Sequence, residues 1–300
     1  MTSINVCIAS RGHPRQLRET LSATLAMAKL PDTKCVVALD ADDPQAAGVA
    51  EKLAKLDAER IIVSIADRED SLGAKYNRAA AAYDADIYVM LTDDEQISTP
   101  DWDQKLAEAA SWYPDGIFCI YFGAPPVASS MPAGFAVSKK LIEMMGFFLN
   151  PYHPYWWHDT TLDEIVRFIG RSVQADIQMS YPYGYGKTRG LRDVSYWATF
   201  FDMLRVKRWE IAQKIIDSPE NLDPTYRKVQ LKQAAQQMAG EFQQRNSGLR
   251  DPLQARQFEL GQSYDAPADE RYNRIYLASQ KIMADIGLTL TEHGKKAEAA

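Results

Sequence analysis

Short apolar runs alternate with segments of helical character through the first 120 residues of the chain. The apolar runs are rich in β-branched and aromatic side chains, which favour strands. They cover residues 4–9, 35–39, 61–65, 86–91 and 117–122. The segments between the first four runs have the spacing or the start signals of helices. This alternation predicts an α/β fold with a mainly parallel, Rossmann-like sheet flanked by helices.

The character of the chain changes near residue 205. Residues 208–217, 224–245 and 268–286 are polar, rich in Gln and Lys, and helical in period. Proline-bearing turns separate these segments. The pattern predicts an α/β domain over residues 1–204 and a helical C-terminal extension over residues 205–300. The extension is expected to pack on the α/β domain or on a second subunit, so oligomerisation stays open.

Acidic side chains follow two of the predicted strands. Asp40 and Asp42 come after the second strand, and the triplet Asp93, Asp94 and Glu95 comes after the fourth. Ligands of open α/β sheets bind beyond the carboxyl ends of the strands, so these side chains are candidates for one site. Mg²⁺ or Mn²⁺ prefers oxygen ligands and would relieve the repulsion among the carboxylates. The alternative is an ordinary solvated turn, where Asp is common.

The turn after the first strand reads SRGHP and offers the polar residues Ser10 and Arg11 but only one glycine. No GxGxxG or GxxxxGK[ST] pattern follows this strand. A dinucleotide-binding Rossmann domain and a P-loop are therefore both disfavoured.

Composition narrows the range of partners. A net charge of −6 argues against nucleic acid or an anionic membrane as the main partner. No apolar run reaches the ~18 residues that would span a bilayer, and the first ten residues lack the pattern of a signal peptide. Three cysteines without CxxC spacing are typical of reduced core thiols. We therefore expect a cytoplasmic protein without an integral membrane segment.

Residues 4 to about 105 resemble the nucleotide-sugar-binding half of a family 2-like glycosyltransferase with the GT-A fold. The resemblance rests on SRGHPRQLRETL after the first strand, the strand end ALDADD, the run LGAKYNRAAAAYDADIYVMLTDDE and the TPDWD that follows. It implies a donor half over about residues 1–105 and an acceptor or catalytic half over about residues 106–204. It also implies a nucleotide-diphospho-sugar donor and an Mn²⁺ or Mg²⁺ cofactor.

The resemblance assigns expected roles to residues after the second strand and at the start of the third helix. Asp40 corresponds to the carboxylate that contacts the base or ribose, with Asp42 nearby. Gly73, Lys75 and Asn77 correspond to a helix start that lies near the nucleotide.

The acidic triplet corresponds to the DXD motif, which holds the ribose and a metal ion on the diphosphate. The resemblance therefore implies that Asp93, Asp94 and Glu95 form the metal site, and that Ser10 and Arg11 line the same donor site. The triplet reads DDE in this chain, which leaves open which carboxylate ligates the metal.

A second informative stretch is NPYHPYWWHDTTLDE, residues 150–164. Its aromatic side chains suit the faces of sugar rings. In inverting members of the resembled family an acidic residue at a helix start here is the general base, which implies Asp159, with Asp163 in reserve. His158 would orient the acceptor or approach the metal. The alternative is a core-packing aromatic cluster before a helix capped by Asp159 or Thr160.

A glycine- and tyrosine-rich stretch, residues 181–193, carries the basic residues Lys187 and Arg189. As a mobile loop it would bring these two charges over the leaving diphosphate. The alternative is a solvated surface loop.

These observations predict a metal-dependent, hexosyltransferase-like enzyme that moves a sugar from a nucleotide-diphospho-sugar to a hydroxyl of a glycan or small molecule. Inversion, with Asp159 as base, is the expected stereochemistry. One rival is a nucleotidyltransferase, which would bring a glycine-rich basic loop after the first strand. Another is a nucleotide-sugar-binding protein with a degenerate site, against which the intact Asp93, Asp94 and Asp159 argue.

Overall fold

Strands and helices alternate through the first half of the chain, as their hydrophobic pattern predicts. The computed structural model describes residues 2–123, 134–154, 156–182, 194–245 and 270–285. The strands are β1 (Ile4–Ala9), β2 (Thr33–Asp40), β3 (Ile61–Ala66), β4 (Ile87–Thr92), β5 (Gln96–Ile97), β6 (Cys119–Gly123), β7 (Phe135–Ser138), β8 (Ser172–Asp176) and β9 (Met179–Ser180). The helices are α1 (Pro14–Ala26), α2 (Ala46–Leu56), α3 (Leu72–Ala81), α4 (Trp102–Ala110), α5 (Lys139–Met145), α6 (His158–Ile169), α7 (Val194–Met203), α8 (Arg205–Asp217), α9 (Thr225–Arg245) and α10 (Glu270–Asp285).

Seven of these strands form one sheet in the order β3-β2-β1-β4-β7-β6-β8. Strand β1 pairs in parallel with β2 and β4, β2 pairs in parallel with β3, and β6 pairs in parallel with β8. Strand β7 runs antiparallel to both β4 and β6. The predicted α/β class, with a mainly parallel sheet flanked by helices, is confirmed. Strands β5 and β9 form a separate antiparallel pair.

Side-chain alternation along β1 divides the core into two layers. Ile4, Val6 and Ile8 are fully buried in one cluster, to which α1, α2 and α4 contribute apolar side chains. Cys7 points to the other cluster, which contains Tyr76 of α3 and apolar side chains of α5 and α6. Each fully buried aliphatic side chain contributes on the order of 1.5–3 kcal/mol to folding. The sheet is therefore covered on both faces, as its apolar strands require.

The second layer also includes helices of the C-terminal extension. Ala212, Ile215 and Ile216 of α8 and Ala235 of α9 are buried in the same cluster as α3, α5 and α6. Helices α8 and α9 therefore pack in the same core layer as residues of the sheet. The division of the chain at residue 204 stays a prediction. No helix in the described ranges is long and apolar enough to cross a membrane.

The order of the strands reverses beside β1, because the chain goes from β1 to β2 and β3 on one side and then to β4 on the other. Ala9 at the end of β1 pairs with Ala38 of β2 and Thr92 of β4. The residues that follow these strands must therefore lie side by side. Open α/β sheets bind their ligands in the crevice at such a reversal.

Candidate active site

The ends of β1 and β4 meet through a hydrogen bond between Ser10 and Asp93. The Ser10 hydroxyl donates to Oδ2 of Asp93 at 2.5 Å, and Nδ1 of His13 lies 3.4 Å from the same oxygen. Burial raises the pKa of Asp93 above its usual range. A cation or a hydroxyl group of a ligand would lower the cost of its negative charge.

The ends of β1 and β2 meet around Asp40, which is 2% exposed. Lys75 of α3 lies with its Nζ 2.8 Å from Oδ1 of Asp40, and it also donates to the carbonyl of Ser10 at 2.9 Å. Arg11 reaches Oδ2 of Asp40 at 3.2 Å and Asp42 at 2.5 Å. Burial lowers the pKa of Lys75, and the hydrogen bond to Asp40 opposes this shift. Five of the predicted site residues, Ser10, Arg11, Asp40, Asp42 and Lys75, are thus joined directly by ion pairs and hydrogen bonds.

The three carboxylates after β4 have different environments. Asp93 lies in the crevice beside Ser10, and Oδ1 of Asp94 accepts from the Thr92 hydroxyl at 2.5 Å. Glu95 is 4% exposed and accepts from the backbone N–H of Thr92 at 2.9 Å. Burial raises the pKa of Glu95 to about 7. Glu95 therefore closes the end of β4, and we leave it out of the proposed metal ligands.

The donor set fits a metal that is shared with a ligand better than one held by protein alone. In the part of the chain that the structure describes, no three His, Cys, Asp or Glu side chains are grouped as metal ligands. Mg²⁺ and Mn²⁺ sites on diphosphates need only one or two carboxylates, with phosphate and water oxygens completing the shell. Asp93 and Asp94 can supply those carboxylates, because the hydrogen bond from Ser10 or Thr92 occupies only one oxygen of each.

Helix α3 is the element that joins the two halves of the site. A Cβ atom on Gly73 would lie 2.1 Å from the carbonyl oxygen of Asn150 and 3.0 Å from Nδ1 of His158. Only glycine permits this close approach. The side chain of Asn77 accepts from the backbone N–H groups of Phe148 and Leu149 at 2.9 Å each. The predicted residues Gly73 and Asn77 therefore contact the linking segment, which we define as residues 147–154 and 156–157.

The linking segment ends in an unusual backbone conformation directly before α6. Trp157 has a φ of 73°, in the left-handed region that non-glycine residues rarely adopt. Helix α6 begins at His158, so Asp159 lies in its first turn. The alternative in which Asp159 or Thr160 caps this helix is therefore wrong.

Asp159 has the environment of a carboxylate with increased basicity. Burial raises its pKa above the usual range, although the backbone N–H of Thr160 donates to Oδ1 at 2.8 Å. Asp163, one turn further along α6, accepts from the Tyr121 hydroxyl at 2.7 Å and pairs with Arg167 at 2.8 Å. Two partners thus hold Asp163, and the two carboxylates of α6 differ in their environment.

Both histidines of this stretch are buried and neutral. Burial lowers the pKa of His158 to about 4 and that of His153 well below its usual range. His158 is thus a poor proton acceptor at neutral pH, and its Nδ1 contacts the carbonyl of Asn150 at 2.8 Å.

The aromatic side chains of the same stretch divide between packing and exposure. Trp157 stacks on Phe201 with ring centroids 5.1 Å apart, and Tyr152 packs edge-on against Phe147. The side chain of Trp156 is 38% exposed. Trp157 and Tyr152 therefore pack as the core-packing alternative expects. Of these three side chains, Trp156 is the most exposed.

Lys187 and Arg189 lie outside the described residues, so their expected place over a diphosphate stays a prediction.

Three residues near the site were not assigned from the sequence. His13 contacts Asp93, Arg68 lies 3.9 Å from Asp40, and Asn150 organises the linking segment. The sequence features that could have indicated them are the positions of His13 and Arg68 shortly after strands and the Asn-Pro pair at residues 150–151.

The comparisons with known proteins agree with this geometry. Residues 5–146 match the family model of glycosyl transferase family 2. This match confirms the resemblance seen in the sequence. No curated protein sequence matches the chain significantly.

Solved structures with similar folds are glycosyltransferases and their nucleotide complexes. S. aureus TarS in complex with UDP is 12% identical with a TM-score of 0.52, covering 93% of this chain and 79% of that chain. The mannosyltransferase PcManGT from Pyrobaculum calidifontis, in complex with GDP-Man and Mn²⁺, is 13% identical with a TM-score of 0.50, covering 96% and 87%. GalNAc-T7 with UDP, GalNAc and Mn²⁺ is 9% identical with a TM-score of 0.54, covering 79% and 55%. At these identities the likeness concerns the fold alone, which is the GT-A fold.

Proposed function

We propose that this protein is a metal-dependent glycosyltransferase that transfers a sugar, with inversion, from a nucleotide-diphospho-sugar to an acceptor hydroxyl. The observation that carries this proposal is the arrangement at the strand reversal beside β1. There Ser10, Lys75, Asp40 and Asp93 form one contact network, and Gly73 of α3 packs against Asn150 and against His158, the first residue of the helix that contains Asp159. Transfer of a hexose and a cytoplasmic location belong to the same proposal.

The nucleotide-sugar donor would lie across the ends of β1, β2 and β4. Asp40 and Asp42 can accept hydrogen bonds from the ribose or base, and the cations of Lys75 and Arg11 form ion pairs with Asp40. Asp93 and Asp94 would hold Mn²⁺ or Mg²⁺, which supplies positive charge for the leaving diphosphate when it is bound. The complexes of the GT-A relatives with UDP or GDP-Man, two of them with Mn²⁺, support this class of ligand.

Asp159 would take the proton of the acceptor hydroxyl as that oxygen forms a bond to the anomeric carbon. The bond from this carbon to the diphosphate breaks at the same time, and the electron pair leaves with the diphosphate. A raised pKa makes Asp159 a better base than an exposed aspartate. The exposed face of Trp156, three residues earlier, suits stacking on an acceptor sugar.

The first experiment measures the binding of UDP, GDP, CMP, TDP and their common sugars by thermal shift and calorimetry, with and without Mn²⁺. Ligand at a hundredfold excess over Kd stabilises the folded state by about 2.7 kcal/mol. We expect a shift with one nucleotide that requires Mn²⁺ and is lost in Asp94→Ala. If no nucleotide binds, the proposal is wrong.

The second experiment separates an enzyme from a nucleotide-sugar-binding protein. We expect wild-type protein with Mn²⁺ to release free sugar slowly from its donor and to transfer it to an acceptor. Asp159→Asn should bind the donor normally but transfer about 100- to 10,000-fold more slowly, as expected when a general base is removed. Asp163→Asn is the control and should lose less activity. Equal transfer by Asp159→Asn and wild type would remove Asp159 from the mechanism.

A further inference from the structure

One buried asparagine joins most of the polar groups of the linking segment. Asn150 is 1% exposed, and its Oδ1 accepts from the backbone N–H of Tyr152 at 3.3 Å and from Nδ1 of His153 at 3.1 Å. Its Nδ2 donates to the carbonyl of Trp157 at 3.2 Å. Its own carbonyl oxygen accepts from Nδ1 of His158 at 2.8 Å. A single residue thus contacts the middle of the segment, its last residue and the first residue of α6.

These contacts determine the tautomers of the two histidines. A carbonyl or amide oxygen can only accept, so the ring proton of His153 and of His158 must be on Nδ1. Both rings are neutral at pH 7, because burial lowers the pKa of each. The hydrogen bonds to Asn150 are therefore kept across the neutral pH range.

The other side of Asn150 lies against the helix that carries the donor-site lysine. The start of α3 approaches the Asn150 carbonyl so closely that Gly73 leaves no room for a Cβ atom. The backbone N–H of Leu72 donates to the carbonyl of Pro154 at 2.9 Å. Two residues after Gly73, Lys75 contacts Asp40 and Ser10. A shift of the linking segment would therefore move α6 relative to the donor site.

We propose that Asn150 is a positioning residue that sets the place of Asp159 relative to the nucleotide-sugar donor. This inference rests on the proposed function. The bond from Asn150 to the Trp157 carbonyl holds the left-handed residue directly before α6, and Asp159 lies two residues further on. Asn150 is buried and its side chain bonds within the linking segment, so its loss should slow transfer without weakening binding of the nucleotide.

A second buried asparagine supplies a matched control. Asn221 is 2% exposed, and its Nδ2 donates to the carbonyl of Ile215 at 3.2 Å. Its Oδ1 accepts from Arg171 at 2.6 Å and from the backbone N–H of Asp223 at 2.9 Å. Replacement of either asparagine by alanine removes a comparable set of buried hydrogen bonds. Only Asn150 belongs to the linking segment.

The test compares Asn150→Ala and Asn221→Ala for melting temperature, nucleotide Kd and kcat with saturating donor. We expect both variants to melt at similarly lowered temperatures. Asn150→Ala should keep the nucleotide Kd within about twofold and lose about 100-fold in kcat, the size of effect seen when a reacting group is misplaced by about 1 Å. Asn221→Ala should keep kcat within about threefold. If Asn150→Ala is not folded, the isosteric Asn150→Asp, which cannot donate to Trp157, is compared in its place.

A readout that does not depend on activity is ¹⁵N NMR of the histidine rings, of which the chain has four. We expect the rings of His153 and His158 to be neutral and protonated on Nδ1 in wild type at pH 7. In Asn150→Ala the ¹⁵N chemical shifts of the His153 ring should change. If wild type is active and Asn150→Ala has a normal kcat, this inference is wrong and the proposed function stands. The same holds if Asn221→Ala loses as much kcat as Asn150→Ala. A wild type that transfers no sugar overturns the proposed function as well.

Discussion

At the scale of single residues, the acidic triplet after β4 shows how similar side chains acquire different roles. The carboxylate of Asp93 accepts from Ser10 and that of Asp94 from Thr92, both at the crevice. Glu95 points inward and accepts a backbone N–H. Asp93 and Asp94 therefore remain suitable as metal ligands. Glu95 has a structural contact, and the free-energy cost of burying its charge depends on pH.

We predict that Glu95→Gln stabilises the protein at high pH. Burial raises the pKa of Glu95 from 4.5 to about 7, so between these values the folded state holds a proton that the unfolded state has released. The free energy of unfolding therefore falls as pH rises through this window, and above it the buried charge is present in full. A neutral glutamine avoids that charge and can still accept from Thr92.

The measurement is the melting temperature of Glu95→Gln and wild type at pH 5 and pH 8, without divalent cations. We expect a small difference at pH 5 and a higher melting temperature for the variant at pH 8, by about 2–4 °C for each kcal/mol gained. Glu51→Gln, at an exposed position on α2, is the control. A difference of the same size at both pH values would contradict the prediction.

Much of this site could be predicted from the sequence, because polar residues that directly follow parallel strands are expected to lie together. Asp40, Asp93 and Ser10 were named from their positions after strands and Lys75 from the family resemblance, and the structure brings the four together. The inward turn of Glu95 could not be predicted, because a run of three acids does not show which side chain the end of a strand will bury. Whether these residues act on a nucleotide-sugar stays a prediction.

At the scale of elements, α3 contacts both halves of the site through different faces. Tyr76 and Ala79 pack on the sheet, Lys75 reaches the strand ends, and Gly73 and Asn77 hold the linking segment. The sequence predicted the helix and its residues near the nucleotide. It did not predict the partner of Gly73 and Asn77, because contacts about 75 residues apart leave no local pattern.

We predict opposite effects for alanine at two helical glycines. Gly73→Ala would place a Cβ atom 2.1 Å from the Asn150 carbonyl, and such overpacking costs about 1–3 kcal/mol or more. A Cβ atom on Gly48 of α2 would meet nothing within 4 Å beyond the adjoining backbone of its own helix, so Gly48→Ala should stabilise by about 0.4–1 kcal/mol. Urea unfolding of both variants measures this. A Gly73→Ala variant as stable as wild type would show that α3 and the linking segment separate easily.

At the scale of the whole molecule, the helices after residue 204 complete the core of the α/β layer. Glu164 of α6 is buried between Arg205 and Arg208 of α8, and burial lowers the pKa of Arg208 to about 10. Removal of one side of a buried ion pair costs about 3–5 kcal/mol, because the remaining charge has no partner. The sequence predicted that the extension packs on the α/β domain or on a second subunit, but not that Arg205 and Arg208 pair with Glu164, because contacts between residues 41 and 44 positions apart leave no local pattern.

We therefore predict that a protein ending at residue 204 does not form a stable native domain. It would lack the Arg205 and Arg208 charges that pair with Glu164, and it would expose the apolar surface that Ala212, Ile215 and Ile216 cover. Since single domains have only about 5–15 kcal/mol of stability, these losses together approach the whole of it. Near-UV circular dichroism, dye binding and urea unfolding of residues 1–204 and of the full chain test this. The full chain should unfold cooperatively, whereas the truncated protein should bind the dye and lose its near-UV signal. A cooperative urea transition for residues 1–204, with a midpoint close to that of the full chain, would instead support a domain boundary at residue 204.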